Sequence, residues 1–209
     1  MFIVKYAGPF GYIKPWTAVR DIETFSQQFL TPSILEGIEK KIFPELLEEK
    51  GIKKILRHRL TYAGISKQQE QTQPRGLKLK TERIDKKKKI VEIIRTKSIL
   101  TRGILIKPIL YLAFEKKEDS EIAIKQHICL CRNEDILYPM PFDFNKYDFI
   151  REIDYKEFDN PDGEYCGFEL MIEKINKSFI VGYNRFNDNK PMYGWINIIG
   201  RNPLHKKNI

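Results

Sequence analysis

From Tyr12 to Gln28 the chain interleaves cations, aromatics and amides: Lys14, Trp16, Arg20, Phe25, Gln27 and Gln28. Lysine and arginine can meet phosphates, a flat ring can stack on a base, and an amide can reach a base edge. A loop packed onto its own domain by Trp16 and Phe25 would use the same residue types, and the two readings are compatible. Just downstream, Thr31-Pro32-Ser33 reads as a helix start, with Thr31 to cap free N–H groups and Pro32 at the first helical position. A helix N-terminus of this kind is a ready anion seat, and Thr31 and Ser33 add hydroxyls to it.

A second set of residues is electrostatic. Between Arg75 and Lys107 stand twelve Lys and Arg residues against three acids, a local net charge of +9. The whole chain also carries +9, so the remainder is neutral overall. Leu77, Leu79, Thr81 and Arg83 alternate, Asp85 to Lys89 turns, and Ile90 to Ile94 is rich in β-branched residues. That pattern predicts a hairpin with a lysine tip and charge on both arms, including Arg75, Lys78, Lys80 and Arg83. A protruding basic hairpin is suited to gripping phosphates. Arg57 and Arg59, two apart on a predicted strand, would share one face and add two more cations. His58 between them reads as a satisfied, half-buried histidine.

The elements that must position these groups follow from periodicity. Phe2 to Tyr6 predicts a strand. Ile34, Leu35, Ile38, Ile42 and Phe43 fall on one helical face, so the helix runs to about Phe43 or Leu46. Gly37 in its middle predicts a close approach by another backbone, since glycine there costs stability. Ile52 to Tyr62 predicts a strand, Ala63 to Gln73 a polar loop, and Gly103 to Phe114 one central strand with Pro108 as a bulge or edge. Glu115 to Ser120 reads as a charged turn. From Asp143 to Glu169 nine acids face three cations, which predicts a solvated region or a contact with a basic neighbour. Asn160-Pro161-Asp162-Gly163 predicts a turn. Two strands close the chain around Asn187-Asp188-Asn189, and His205-Lys206-Lys207 reads as a frayed tail.

The result is an α+β pattern. It predicts an RRM-like or ferredoxin-like core over 1–74 and 104–135, a basic hairpin insertion over 75–103, and a small β-rich C-terminal extension over 136–209. No RNP-type aromatic motif marks the strands, so RNA would be held by loops and hairpin. No apolar run is long enough to span a bilayer, and Met1 to Lys5 reads as a strand and not a signal peptide. The three cysteines, Cys129, Cys131 and Cys166, predict a reducing compartment and no zinc site. No cofactor or metal is implied.

Gly8-Pro9-Phe10, the loop with Pro15 and Arg20, and Thr31-Pro32-Ser33-Ile34-Leu35-Glu36-Gly37-Ile38 together resemble the CRISPR-associated Cas family five, RAMP-superfamily RNA binders with an RRM-like fold. The resemblance covers the first quarter of the chain, and the basic hairpin matches in character and location. It implies a cytoplasmic prokaryotic subunit at one end of a crRNA-guided effector complex that serves antiviral defence. Such a subunit grips the crRNA five-prime handle and starts the row of Cas family seven type backbone subunits. Its hairpin, the thumb, covers the handle–spacer boundary, with target nucleic acid as a further contact. One branch of the family cleaves precursor crRNA without metal, using a tyrosine at the end of this helix and an adjacent Lys-His pair. Phe43 stands at the tyrosine position here, and the middle of the chain has no Lys-His pair. The expectation is therefore a non-catalytic subunit. A metal-independent endoribonuclease, through a set such as His58 with Tyr62 or Lys54, is the alternative. An unrelated basic RNA- or DNA-binding protein is the third reading.

Overall fold

The computed structural model describes residues 1–15, 22–72, 78–85, 88–94, 98–184 and 187–200. In chain order the strands are β1 (Phe2–Ala7), β2 (Phe10–Gly11), β3 (Glu23–Phe25), β4 (Ile55–Thr61), β5 (Gly64–Thr72), β6 (Lys78–Asp85), β7 (Lys88–Ile94) and β8 (Ser98–Ile106). They continue as β9 (Ile109–Phe114), β10 (Ile128–Cys129), β11 (Ile136–Met140), β12 (Ile150–Glu152), β13 (Gly167–Met171), β14 (Phe179–Asn184) and β15 (Lys190–Ile199). The α-helices are α1 (Pro32–Ile42), α2 (Lys117–Ala123) and α3 (Tyr155–Phe158), and a 3-10 turn spans Pro44–Leu46. The chain is thus mixed α+β and built on a large antiparallel sheet.

That sheet has nine strands, ordered β10-β11-β1-β9-β4-β13-β15-β14, with β12 also pairing β1. Alternation along β1 and β9 sends side chains to both faces. Val4, Tyr6, Leu110, Leu112 and Phe114 join Leu35, Ile38, Ile42 and Phe43 of the α1 segment and Ala123 of α2 in one core. Ile3, Tyr111 and Ala113 pack on the other face against Ile153, Phe158 and Tyr165. Each nearly full burial of Leu35, Ile38 or Ile42 contributes roughly 2 kcal/mol.

A second sheet is centred on β8. Strand β5 runs along one of its edges from Gly64↔Ile106 to Thr72↔Ser98. On the other edge β2 pairs at Leu105 and Ile106, and β3 runs parallel at Thr101 to Gly103. Strands β6 and β7 pair from Lys78↔Ile94 to Asp85↔Lys88 and, among the described residues, only with each other.

Two expectations change here. The polar stretch from Ala63 to Gln73 contains β5. It lacks an apolar alternation because both faces of this strand are largely exposed, so backbone pairing to β8 defines it. Gly103 to Phe114 is two strands, split at Lys107, whose φ is 49°, and at Pro108, which has no N–H to give a ladder. The hairpin arms therefore begin earlier and end later than their charge marks. The charged turn expected at Glu115 to Ser120 is in fact mostly helix, since α2 begins at Lys117. The turn at Asn160 forms, with Gly163 N–H donating to Asn160 O at 3.0 Å. The last third supplies β11 to β15, five strands of the main sheet.

Candidate nucleic-acid interface

Trp16, Arg20, Arg75, the Lys86-Lys87 part of the tip and the 205–207 tail lie outside the described residues. Lys78, Lys80 and Arg83 are placed by backbone on β6. Lys14 is exposed, at the end of a short zipper: Ile13 N–H donates to Ser26 Oγ at 2.9 Å, and Gln27 N–H donates to Ile13 O at 2.9 Å. The amides do structural work. Gln27 is buried and gives an Nε2–H bond to Phe29 O at 2.9 Å, while Gln28 Oε1 accepts from the Tyr62 hydroxyl at 2.7 Å.

The start of α1 is built as expected in sequence but differs in detail. Thr31 occupies the N-cap position with Pro32 behind it, yet its hydroxyl makes no cap bond and pairs with Ser33 Oγ at 3.1 Å. Thr31 is buried and Ser33 exposed. This end of the helix faces β14 across an open cleft of about 410 Å³, whose walls include Thr31, Ser33, Glu36, Tyr183, Asn184 and Met192. Glu36 places a carboxylate in that wall, held below the usual range first by its bond to Lys40 and, against burial, by the Gly51 N–H. The cleft thus offers hydroxyls, an amide and a ring, with one acid among them. Gly37 has no backbone nearby: a Cβ there would meet nothing within 4 Å. It opens a groove of about 190 Å³ against β10 instead.

Arg57 and Arg59 do not face solvent. They share one face of β4, where Arg57 Nε and Nη2 bond Glu169 Oε1 and Oε2, each at 2.7 Å. Arg57 Nη2 also reaches Asp159 Oδ1 at 2.9 Å. Arg59 is fully buried and donates to Phe158 O, Tyr165 O, Asp159 Oδ1 and Glu169 Oε2 at 2.7 to 3.1 Å. Both guanidinium groups also lie over the Phe158 ring, Arg59 at 4.3 Å. Burial, the largest single influence, would raise the Glu169 carboxyl, but the Arg57 hydrogen bonds, the His58 and Arg57 charges and the His58 N–H together hold the group below its ordinary value. The same balance, against Arg57 and Arg59, lowers Asp159. These arginines are spent on internal carboxylates, so phosphate contacts by Arg57 and Arg59 are not supported. The acidic stretch is correspondingly, in part, their internal counter-charge and not only a solvated surface.

His58 is buried, and desolvation, with Arg57 and Arg59 adding to it against Glu169, lowers its pKa to about 4. Its Nε2 has no hydrogen-bond partner among the described residues, which corrects the expectation of a satisfied histidine. Phe43 is likewise buried, edge-on to Phe114 with Lys54 Nζ 4.0 Å above its ring.

Two features escaped the sequence reading, and a third, Phe25, was noted there only as one aromatic of the cationic loop. Glu39 on α1 is fully buried and accepts N–H bonds from Lys53, Lys54 and Ile55 at 2.6 to 2.8 Å, fixing the entry into β4. Tyr12 lies between the guanidinium groups of Arg132 and Arg102, 5.3 and 6.0 Å from its ring centre. Phe25 stands 45% exposed on Gly103. Only Phe25 had a sequence signal, as an aromatic within the cationic loop. Among the described residues no cluster of three or more His, Cys, Asp or Glu is arranged to hold a metal, and no helix is long and apolar enough to cross a membrane. In comparisons with known proteins, no family model and no curated protein matches this chain.

Proposed function

We propose that the chain is a non-catalytic, RNA-binding subunit of a CRISPR crRNA-guided effector complex that holds the five-prime handle of the crRNA. One observation carries the reading: the segment inserted between two strands of an ordered α+β core holds the β5–β8 and β6–β7 pairs and the stretch with the chain's net +9. Strands β11-β1-β9-β4 are all antiparallel neighbours, with α1 between β1 and β4 and α2 between β9 and β11. That order and connectivity supports reading this core as the split βαβ arrangement of ferredoxin-like and RRM-like folds. The ribbon of β5, β6, β7 and β8 is inserted between β4 and β9. An isolated two-stranded ribbon is marginally stable in water, so its β6–β7 end needs a partner. Its stretch carries the +9, and the partner of matching chemistry is a polyanion. In this reading the ribbon is the thumb.

Phe43 supports a holding role over a cutting one. It has no hydroxyl and its ring is buried, so it offers neither a base for the ribose hydroxyl nor an acid for the leaving oxygen. The buried His58 lies on β4 among core groups and Arg57, Arg59 and Glu169. The test is a gel-shift and cleavage assay with repeat RNA in EDTA. Handle-containing RNA should bind and stay intact. Cleavage would favour the endoribonuclease reading, and absence of binding would overturn both.

A further inference from the structure

We infer that the outer face of β3, β8 and β5 is a stacking platform for single-stranded RNA, on which Phe25 receives a base. This rests on the RNA-binding reading above and adds a site to it. The register builds the platform. Phe25 pairs Gly103 on one side and Lys67 pairs Gly103 on the other, so the three residues form one row across the sheet. Paired residues share a face, and every second residue along a strand returns to it. The next row is Glu23, Thr101 and Gln69, followed by Ile99 and Gln71.

Gly103 is the key to the geometry. A Cβ at this position would run into the Phe25 ring, so the absence of a side chain lets the ring settle on the strand. Held this way the ring is pre-organised, and a base landing on its free side orders little else. The ring is 45% exposed and Ile99 is 55% exposed, while Lys67, Gln69 and Gln71 are exposed around them. Lys67 lies 5.5 Å from the ring centre and pairs with Glu23. The opposite face is tied down separately, through Arg102 to Thr24 at 2.9 Å and to Glu70 at 3.5 Å.

The chemistry selects the occupant. One ring, two amides and a lysine that shares its charge with Glu23, all on one face, give a stacking surface, base-edge partners and a phosphate contact made when Lys67 leaves Glu23. A protein seat would need a broader apolar centre than one ring and one isoleucine. The strip also continues along β5 and β8 toward the stretch holding the net +9, so an RNA strand would meet like chemistry along its path.

The experiment uses the full chain and a ten-nucleotide oligouridine carrying one 2-aminopurine, whose fluorescence falls on stacking. Wild type should quench it. Phe25→Leu should weaken binding by about fivefold to a hundredfold with an unchanged salt slope, and Phe25→Trp should restore it. Cross-linking of 4-thiouridine RNA to wild type should label the peptide bearing Phe25, a readout that does not depend on how the variants fold. If wild type binds RNA but Phe25→Leu binds equally and the label falls elsewhere, the platform is overturned and the RNA-binding reading stands. If wild type binds no RNA, that reading fails and the platform with it. If Phe25→Leu instead loses capture of a protein neighbour while RNA binding is kept, the strip is a protein contact and the inference is overturned.

Discussion

Arg57 meets Glu169 as a two-point fork, Nε to Oε1 and Nη2 to Oε2, both at 2.7 Å. The two residues lie 112 positions apart, on β4 and β13, strands whose ladder registers a single residue pair, Leu60↔Phe168. The fork therefore does part of the joining that the ladder does not. Glu169→Ala leaves Arg57 and Arg59 with the partly exposed Asp159 as their remaining carboxylate and should cost about 3 kcal/mol. Chemical denaturation of the variant checks this, and Arg57→Lys should also lose stability because a point charge cannot form the fork.

Acid should unfold the protein through His58. Its folded pKa of about 4 lies below the ordinary 6.5, because burial, Arg57 and Arg59 disfavour the cation against Glu169. The unfolded chain then binds the extra proton, so stability is complete above pH 6.5 and falls as pH drops from 6.5 toward 4. The loss across that window is roughly 3 kcal/mol. Asp159 and Glu169, both lowered, add their losses as pH falls through and below their ordinary range. His58→Gln should flatten the upper part of the profile in denaturant titrations run at stepped pH.

Glu39 anchors three consecutive backbone N–H groups at Lys53, Lys54 and Ile55. Glu39→Ala removes all their acceptors at a buried site and should cost roughly 3 kcal/mol or more. Glu39→Gln, which keeps one oxygen, should cost less. The unfolding midpoints of the two variants rank them.

Salt dependence separates the two kinds of cation. Replacing Lys78, Lys80 and Arg83 together by Ala should lower the slope of log affinity for single-stranded RNA against log salt by roughly 2. Replacing Arg57 should leave the slope unchanged, since its charge is matched within the fold. Filter binding across a salt series distinguishes them.

The helix α1 was legible because its Thr31-Pro32 start and its apolar face are local signals. The β6–β7 pairing was legible for a similar reason, through alternation around a lysine turn. Strand β5 was not, because a ribbon with two exposed faces has no apolar period to read. The internal pairing of Arg57 and Arg59 was not legible because their partners are about a hundred residues away, in a stretch whose acids looked like solvent-facing charge. Glu39 was hidden by its type: glutamate on a helix reads as surface until the neighbouring turn closes over it. Gly37 was given the wrong reason, since it borders open space and not another chain segment.

Strand β14 ends the main sheet, and its outer edge is unpaired among the described residues. Ile180 at 46% and Tyr183 at 62% exposure stand on it, with no covering layer among the described residues. An open, apolar edge invites another strand, so the free chain is prone to self-association once it is concentrated. Shelf life, not folding, then becomes the limit on working with it alone, and co-production with whatever closes that edge is the practical remedy.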